Sequence, residues 1–357
     1  MKKFISILLS AVLFILPLSS CSSKKNNSDT SGTKYEDSKI LMDTPIKLRA
    51  YGPNAKKAVD ESFKRLDEID KMASPSFADS DVNKINAASG RAYVKVHPEI
   101  LKMIQTSIKY SKLSNGAWDI TSGVLVTLWN IGTEKERVPS DAEIKEKLTL
   151  VGYNKISVNE KDNSVMLQKE GMVIDLGGIA KGFATDEVLK IYKKYNIKNG
   201  LINLGSSSMY AIGKNEEGMD WAIGIKNPRD EKSGNYLGII RISNEALSTS
   251  GDYEKYFIKD NKRYHHIFSP FTGYPADTGV MSDTIIIDGA SPDNNMLADL
   301  LTTTVFVLGA DKGLKFIENM QNVSCEITTT DFKIYSSSSF KGKLTNLHKD
   351  YTPANYR

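Results

Sequence analysis

The stretch Val173-Ile174-Asp175-Leu176-Gly177-Gly178-Ile179-Ala180-Lys181-Gly182 constrains this chain more than any other. A short apolar run ends in a carboxylate, two glycines follow, and an amphipathic segment from Phe183 to Tyr195 comes next. That order predicts strand, tight turn and helix. Glycines let the backbone approach a ligand closely, and a helix start aims N–H groups at an anion. Asp175 and Lys181 put one charge of each sign at the same mouth. The glycine spacing fits neither the P-loop nor the dinucleotide fingerprint. On these residues alone the stretch is either a phosphate-cradling turn or a packed strand–helix corner, and the rest of the chain has to decide.

The chain is long enough for a sizeable core, with 357 residues of which 40% are hydrophobic and 25% charged. Its net charge of +4 is spread among interspersed Lys and Asp/Glu, which gives no electrostatic case for a nucleic-acid partner. Lys2 and Lys3 precede an apolar run, Phe4 to Leu18, that is short for a transmembrane helix. Leu18-Ser19-Ser20-Cys21 resembles a bacterial lipobox, in which Cys21 becomes the lipidated terminus. The expected organisation is a signal peptide over 1–20, a flexible tether over 21–39, a folded body over 40–345 and a polar tail over 346–357. Lipidation of Cys21 leaves Cys325 without an intrachain partner, and Cys325 reads as a buried strand residue in Val323 to Ile327.

Within the body, apolar spacing predicts helices over Ala55–Met72, Pro98–Leu113, Ala142–Leu150, Asn295–Leu308 and Lys312–Met320. Ile40 to Tyr51 reads as a strand interrupted at Pro45. Ile156–Val158 with Val165–Leu167, and Tyr253–Ile258 with Tyr264–Ile267, read as hairpins. Ala211–Gly213, Trp221–Ile225 and Leu237–Ile242 read as successive antiparallel strands. Ser248-Thr249-Ser250-Gly251 reads as a plain turn in preference to a phosphate site.

Asp299 stands inside an otherwise apolar helix, so its carboxylate needs donors or a cation. Thr303 follows four residues later on the same helix face. A carboxylate, a hydroxyl and nearby carbonyls are hard oxygens, suited to Mg2+ and not to zinc; a capping aspartate is the alternative. His265 and His266 are two of only four histidines, and without further ligands they do not form a zinc site. Each is either a hydrogen-bonded structural group or a proton acceptor. No Gly-x-Ser-x-Gly elbow is present, which argues against a serine hydrolase.

Four blocks in order are together far more specific than any one of them. They are Asp175 to Gly182, Thr249-Ser250-Gly251-Asp252-Tyr253-Glu254-Lys255-Tyr256-Phe257, His266-Ile267-Phe268-Ser269-Pro270-Phe271-Thr272-Gly273-Tyr274-Pro275, and Ala298-Asp299 with Thr303. They resemble the ApbE family of FAD:protein FMN transferases, over most of the chain from about Met42 to beyond Gly309. The resemblance implies a mixed α/β fold of the α+β type, with largely antiparallel sheets, packed helices and a T-fold-like arrangement. It implies an extracytoplasmic, lipid-anchored enzyme that uses FAD and Mg2+. Such an enzyme joins FMN through its phosphate to a Thr or Ser of a target protein, such as a membrane redox subunit, and releases AMP. Carried over, Met42, Ala117, Trp118, Asp119, Asp175, Lys181, Ser250 and Phe268 touch the flavin nucleotide. Gly178, Ala180, Asp299 and Thr303 hold the metal, with Asp299 essential to catalysis. His266 is the base for the target hydroxyl. The chain departs from the family pattern at Ser269, where Asp is frequent, at Ser206 and Asp43, where Gly is usual, and near Ser76, where the closest aromatic is Phe77. An FAD pyrophosphatase using water as acceptor, or a flavin- or solute-binding lipoprotein, are the competing readings.

Overall fold

The computed structural model describes residues 32–230, 234–289 and 291–355, so the lipobox and Cys21 lie outside it. The chain opens with β1 (Lys34–Leu41) and β2 (Thr44–Tyr51), followed by α1 (Ala55–Ala73), α2 (Asp81–Ala87), β3 (Val94–Lys95) and α3 (Pro98–Leu113). Next come α4 (Gly123–Trp129), α5 (Asp141–Leu148), β4 (Ile156–Asn159), β5 (Ser164–Leu167) and α6 (Ala180–Lys194). Strands β6 (Gly200–Leu204), β7 (Ser208–Ile212), β8 (Trp221–Lys226), β9 (Tyr236–Ile242) and β10 (Glu245–Gly251) precede the hairpin β11 (Tyr256–Lys259) and β12 (Lys262–His265). The remainder is β13 (Val280–Asp288), α7 (Asn294–Leu308), α8 (Ala310–Glu318), β14 (Val323–Thr329), β15 (Lys333–Ser336), β16 (Leu344–Thr345) and β17 (Thr352–Ala354).

A sheet in the order β1-β2-β6-β7-β10-β13-β14-β15-β17 forms the spine, antiparallel except for the β15–β17 pair. Its main core is built from one face of that sheet and the inward faces of α1, α6, α7 and α8, with Leu48, Leu66, Phe183, Ile285, Leu300 and Leu314 inside. Its opposite face packs Leu247, Met281 and Ile286 against Ile223, Leu237 and Ile240 of the β16-β9-β8 sheet. Cover on both faces explains why β13 is buried along nearly its whole length, its central Ser282, Asp283 and Thr284 included. The expected mixed, largely antiparallel architecture with packed helices is the one observed.

Several expectations need correction. Strand β1 begins at Lys34, inside the expected tether; it is an edge strand whose charges are themselves structural. Glu36 on β1 meets Lys47 and Arg49 on β2. The expected tail contributes β17, paired with β15 through Lys333 and Thr352. Strand β7 pairs with β6 and β10, and not with β8. Ser248 to Gly251 is not a turn but part of β10, inside the large sheet. Small hydroxyl residues suit that place because α7 packs directly on the strand.

Val173 to Leu176 joins no sheet. The Asn86 side chain on α2 substitutes for a neighbouring strand: its Oδ1 accepts from Ile174 N at 2.8 Å and its Nδ2 donates to Ile174 O at 3.1 Å. Asp175 N donates to Ile120 O at 2.9 Å. An Asn one helix away carries no local signal in the apolar run itself, so periodicity alone assigns a strand.

Candidate active site

The glycine turn leads straight into α6, and α6 crosses α7 at Gly182. A Cβ on Gly182 would stand 2.2 Å from Asn295 O and 2.7 Å from Asp299 Cβ, so only glycine permits this approach. The crossing brings Asp299 to the start of α6, where its Oδ2 accepts from Gly182 N at 2.9 Å. Ser248 Oγ, whose proton goes to Ser207 O, stands 3.3 Å from Asp299 Oδ1. Asp299 is 5% exposed and makes no ion pair among the described residues. It is therefore both a capping group and a buried anion with acceptor capacity left over.

Thr303 lies one turn further along α7. The hydroxyls on either side of it are spent, Thr302 Oγ1 donating to Asp299 O at 2.7 Å and Thr304 Oγ1 to Leu300 O at 2.9 Å. Among the described residues nothing hydrogen-bonds Thr303 Oγ1 or the Gly178 carbonyl. These two residues adjoin: a Cβ on Gly178 would stand 3.2 Å from Thr303 Oγ1 and 3.0 Å from the Trp118 ring. Trp118 is 4% exposed and its indole N–H has no partner among the described residues. Ala117 beside it and Ala180 after the turn are buried. The Asp299 carboxylate, the Thr303 hydroxyl and the carbonyls around Gly178 and Ala180 form a hard-oxygen set that could hold Mg2+. No group of three or more His, Cys, Asp or Glu among the described residues could hold a metal. A site with a single carboxylate leaves positions for the oxygens of a phosphate-bearing ligand.

Asp175 and Lys181 grip the same residue. Asp175 Oδ1 accepts from Gly177 N at 2.6 Å, and Lys181 Nζ donates to Gly177 O at 3.1 Å. Lys181 pairs with no carboxylate among the described residues, so its charge is available to an anion. The helix start itself is less open than the sequence suggests. Ala180 N donates to Leu176 O at 2.9 Å and Gly182 N is taken by Asp299.

The two histidines separate cleanly. His265 is buried, with Nε2 3.2 Å from Ala276 O and Nδ1 accepting from Ile267 N at 3.3 Å, so both ring nitrogens are spent on structure. His266 places Nδ1 3.3 Å from Lys255 O. Donation to that carbonyl fixes the tautomer and leaves Nε2 as the lone-pair acceptor. Desolvation, with the neighbouring His265 ring and the positive Lys255 and Lys181, pushes the His266 pKa down to about 3, which keeps the ring neutral. The same interaction places His266 within electrostatic range of Lys181.

Other residues expected to touch the nucleotide also make contacts that hold the fold. The Asp119 carboxylate accepts from Thr121 N at 2.9 Å, Thr121 Oγ1 at 2.6 Å and Tyr153 N at 2.8 Å. Burial raises its pKa against those bonds. The Phe268 ring is buried against Trp129, 5.9 Å between centroids, and Trp129 Nε1 donates to Gly273 O at 3.0 Å. That aromatic knot anchors the loop after His266. Ser269 replaces the frequent Asp with a hydroxyl that accepts from Phe271 N at 3.3 Å, holding the loop's turn. Ser250 Oγ donates to Thr302 Oγ1 at 2.8 Å and so supports α7 from below. Met42 sits in the β1–β2 turn, its N–H donating to Asp70 Oδ2 at 2.9 Å. From there contact runs from Thr44 to Gly205, and Ser207 O accepts from Ser248 Oγ at 2.7 Å beside Asp299. Asp43 and Ser206 both stand at positive φ, 55° and 60°, which accounts for glycine being usual at those places.

Sequence reasoning missed Asp186, Ser248 and Asn86. Asp186 shares the inward face of α6 with Gly182 and Phe183, so the test applied to Asp299, a carboxylate on an apolar face, would have found it.

The family comparison decides what this turn, crossing and histidine belong to. The ApbE family model matches residues 42–327. The chain belongs to the ApbE family. The FAD:protein FMN transferase of Klebsiella pneumoniae is 32% identical over 317 residues, covering 89% of this chain and 96% of that protein. The transferase of the same name from Haemophilus influenzae is 32% identical, covering 97% of this chain and 99% of its own length. Among solved structures, the ApbE protein of Thermotoga maritima aligns with a TM-score of 0.78 at 32% identity, covering 87% of this chain and 99% of that one. The flavin transferase ApbE of Vibrio cholerae aligns with a TM-score of 0.77 at 29% identity, covering 88% and 100%.

Proposed function

We propose that this ApbE-family chain is an FAD:protein FMN transferase that requires Mg2+ and attaches FMN to a Thr or Ser hydroxyl of a target protein. One observation carries the reading beyond the family. Among the described residues, the buried Asp299 carboxylate lies near a Thr303 hydroxyl and a Gly178 carbonyl that make no hydrogen bond, Lys181 at the same turn pairs with no carboxylate, and His266, within electrostatic range of Lys181, keeps Nε2 unbonded. Asp299, Thr303 and the carbonyls of Gly178 and Ala180 would hold the ion. When bound, Mg2+ would neutralise charge on the pyrophosphate oxygens.

The protein's own residues do the rest. Lys181 offsets the negative charge that builds on the departing phosphate. Nε2 of His266 takes the proton from the acceptor hydroxyl. The hydroxyl oxygen forms a bond to the FMN phosphorus, the bond from that phosphorus to the bridging oxygen breaks, and AMP leaves with that oxygen. The glycine turn lets the backbone come close to the nucleotide, and Trp118 offers its indole N–H to the ligand.

We also place the enzyme outside the cytoplasmic membrane, held by lipid on Cys21, where a membrane redox subunit is the natural acceptor. Support comes from Lys2, Lys3, the apolar run to Leu18 and the Leu18-Ser19-Ser20-Cys21 box. No helix among the described residues is long and apolar enough to cross a membrane. Incubation with FAD, Mg2+ and a Thr-bearing acceptor tests the reaction. A fluorescent acceptor band on a denaturing gel is expected. Free FMN without a labelled band would mean hydrolysis, and intact FAD would mean binding only.

A further inference from the structure

The second carboxylate at the helix crossing, Asp186, takes no part in the chemistry above. It is 3% exposed on α6, and it reaches across to the start of α7. Its Oδ1 accepts from Asn295 N at 3.2 Å and Asn295 Nδ2 at 2.8 Å, and its Oδ2 accepts from Met296 N at 2.8 Å. Helix α7 has no cap of its own: Asp293 before it stands at φ 76° and makes no capping bond. Helix α6 has none either, since Ile179 precedes it. Asp299 on α7 supplies that cap through Gly182 N. Each helix therefore caps the other with an aspartate, and the two links flank the Gly182–Asn295 contact.

The stripe on α7 makes this consequential. Asn295, Asp299 and Thr303 are spaced i, i+4, i+8 and lie on one face. Asp186 holds the first member of that stripe, and the other two are the residues read above as metal ligands. Helix α6 in turn begins at the glycine turn that supplies the carbonyls. The Asp186 link thus ties the height and rotation of the Asp299–Thr303 stripe to the Gly178 turn. We propose that Asp186 is a positioning residue that sets the affinity of this site for its divalent cation. The proposal rests on the reading of Asp299 and Thr303 as ligands.

The full chain in detergent micelles, titrated with Mg2+ in the presence of FAD, tests it. Two readouts are taken: the Mg2+ concentration giving half-maximal FMN transfer, and the Mg2+-dependent rise in melting temperature. Asp186→Asn, which keeps one acceptor oxygen, is expected to raise both midpoints about tenfold or more, within the range for groups that orient metal ligands. At saturating Mg2+ its rate returns to within about threefold of the parent, because the reacting groups are intact. Asn295→Ala deletes one of the bonds and is expected to shift both midpoints in the same direction by less. A fall in maximal rate with unmoved midpoints would overturn the proposal. Should Asp186→Asn fail to fold, unmoved midpoints in Asn295→Ala would do the same. Asp299→Asn separates the two levels. If its midpoints do not move, the ligand reading itself fails; if they move and those of Asp186→Asn do not, only the positioning role fails.

Discussion

Asp299 and Asp283 are both buried carboxylates close to β10, and they have opposite fates. Asp299, 5% exposed at a helix crossing, accepts from the Gly182 amide, lies beside the Ser248 hydroxyl and shares its helix face with Thr303, whose hydroxyl makes no hydrogen bond among the described residues. Asp283, 0% exposed within β13, has no partner for either oxygen among the described residues. It stands across the sheet in register with Ile327, and the next residue of that strand, Glu326, paired with Thr284, also leaves Oε2 without a partner among the described residues. Burial and then the Glu326 charge push the Asp283 pKa well up, and burial raises Glu326 to about 7. Burial thus favours the protonated form of both sheet acids, whereas the helix-crossing carboxylate accepts from the Gly182 amide at the start of α6. A buried acid marks a site only where its neighbours have unspent capacity to bind something else.

The largest expected effect separates the two acids. Asp299→Ala should lower the initial rate of FMN attachment by about a thousandfold or more at ordinary Mg2+. Asp283→Asn should leave that rate within about threefold. Comparable losses in both would erase the distinction.

Next in size is the pair of histidines. His266→Gln should slow transfer by roughly a hundredfold or more, the usual worth of a positioned base, while His265→Gln should act mainly on melting temperature. The acidic limb of the transfer rate should fall below pH 5, since His266 is held neutral down to about 3. A limb near pH 6.5 would mean an unperturbed imidazole.

Stability should carry the opposite imprint. Asp283 and Glu326 keep protons in the folded sheet that the unfolded chain releases above its ordinary carboxylate range. Their contribution is then fully present below about pH 4 and declines as pH rises toward 7. For Glu326, moved from 4.5 to about 7, this is on the order of 3 kcal/mol. Denaturant unfolding at pH 5 and pH 8 should show the decline, and Glu326→Gln should flatten it. A slope that survives Glu326→Gln and Asp283→Asn together would assign it to other groups. The smallest effect expected is that of Ser250→Ala, which removes the bond to Thr302 and should cost about 1 kcal/mol of stability with a modest drop in rate.

Much of this was legible before any coordinates. The spacing of Pro98 to Leu113 sets α3 to the residue, and Asp299 betrays itself by sitting in apolar company. What was not legible depends on partners distant in sequence. Val173 to Leu176 looks like a strand until Asn86 satisfies its backbone. Ser248 to Gly251 looks like a turn because small hydroxyl residues suit both a turn and a strand pressed under a helix. Lys34 to Lys39 looks like a tether because an exposed edge strand needs no apolar face. Asp119 and Phe268 are nucleotide contacts that the resemblance implies, while the structure shows their side chains engaged in local hydrogen bonds and in the Trp129 knot.

The most direct measurement locates the cation itself. Crystals grown with Mn2+ in place of Mg2+ and with FAD, examined by anomalous scattering, should show a peak between Asp299 and Thr303 beside the Gly178 turn. A peak at Asp283 and Glu326 instead, or none at the helix crossing with FAD bound, would contradict the account.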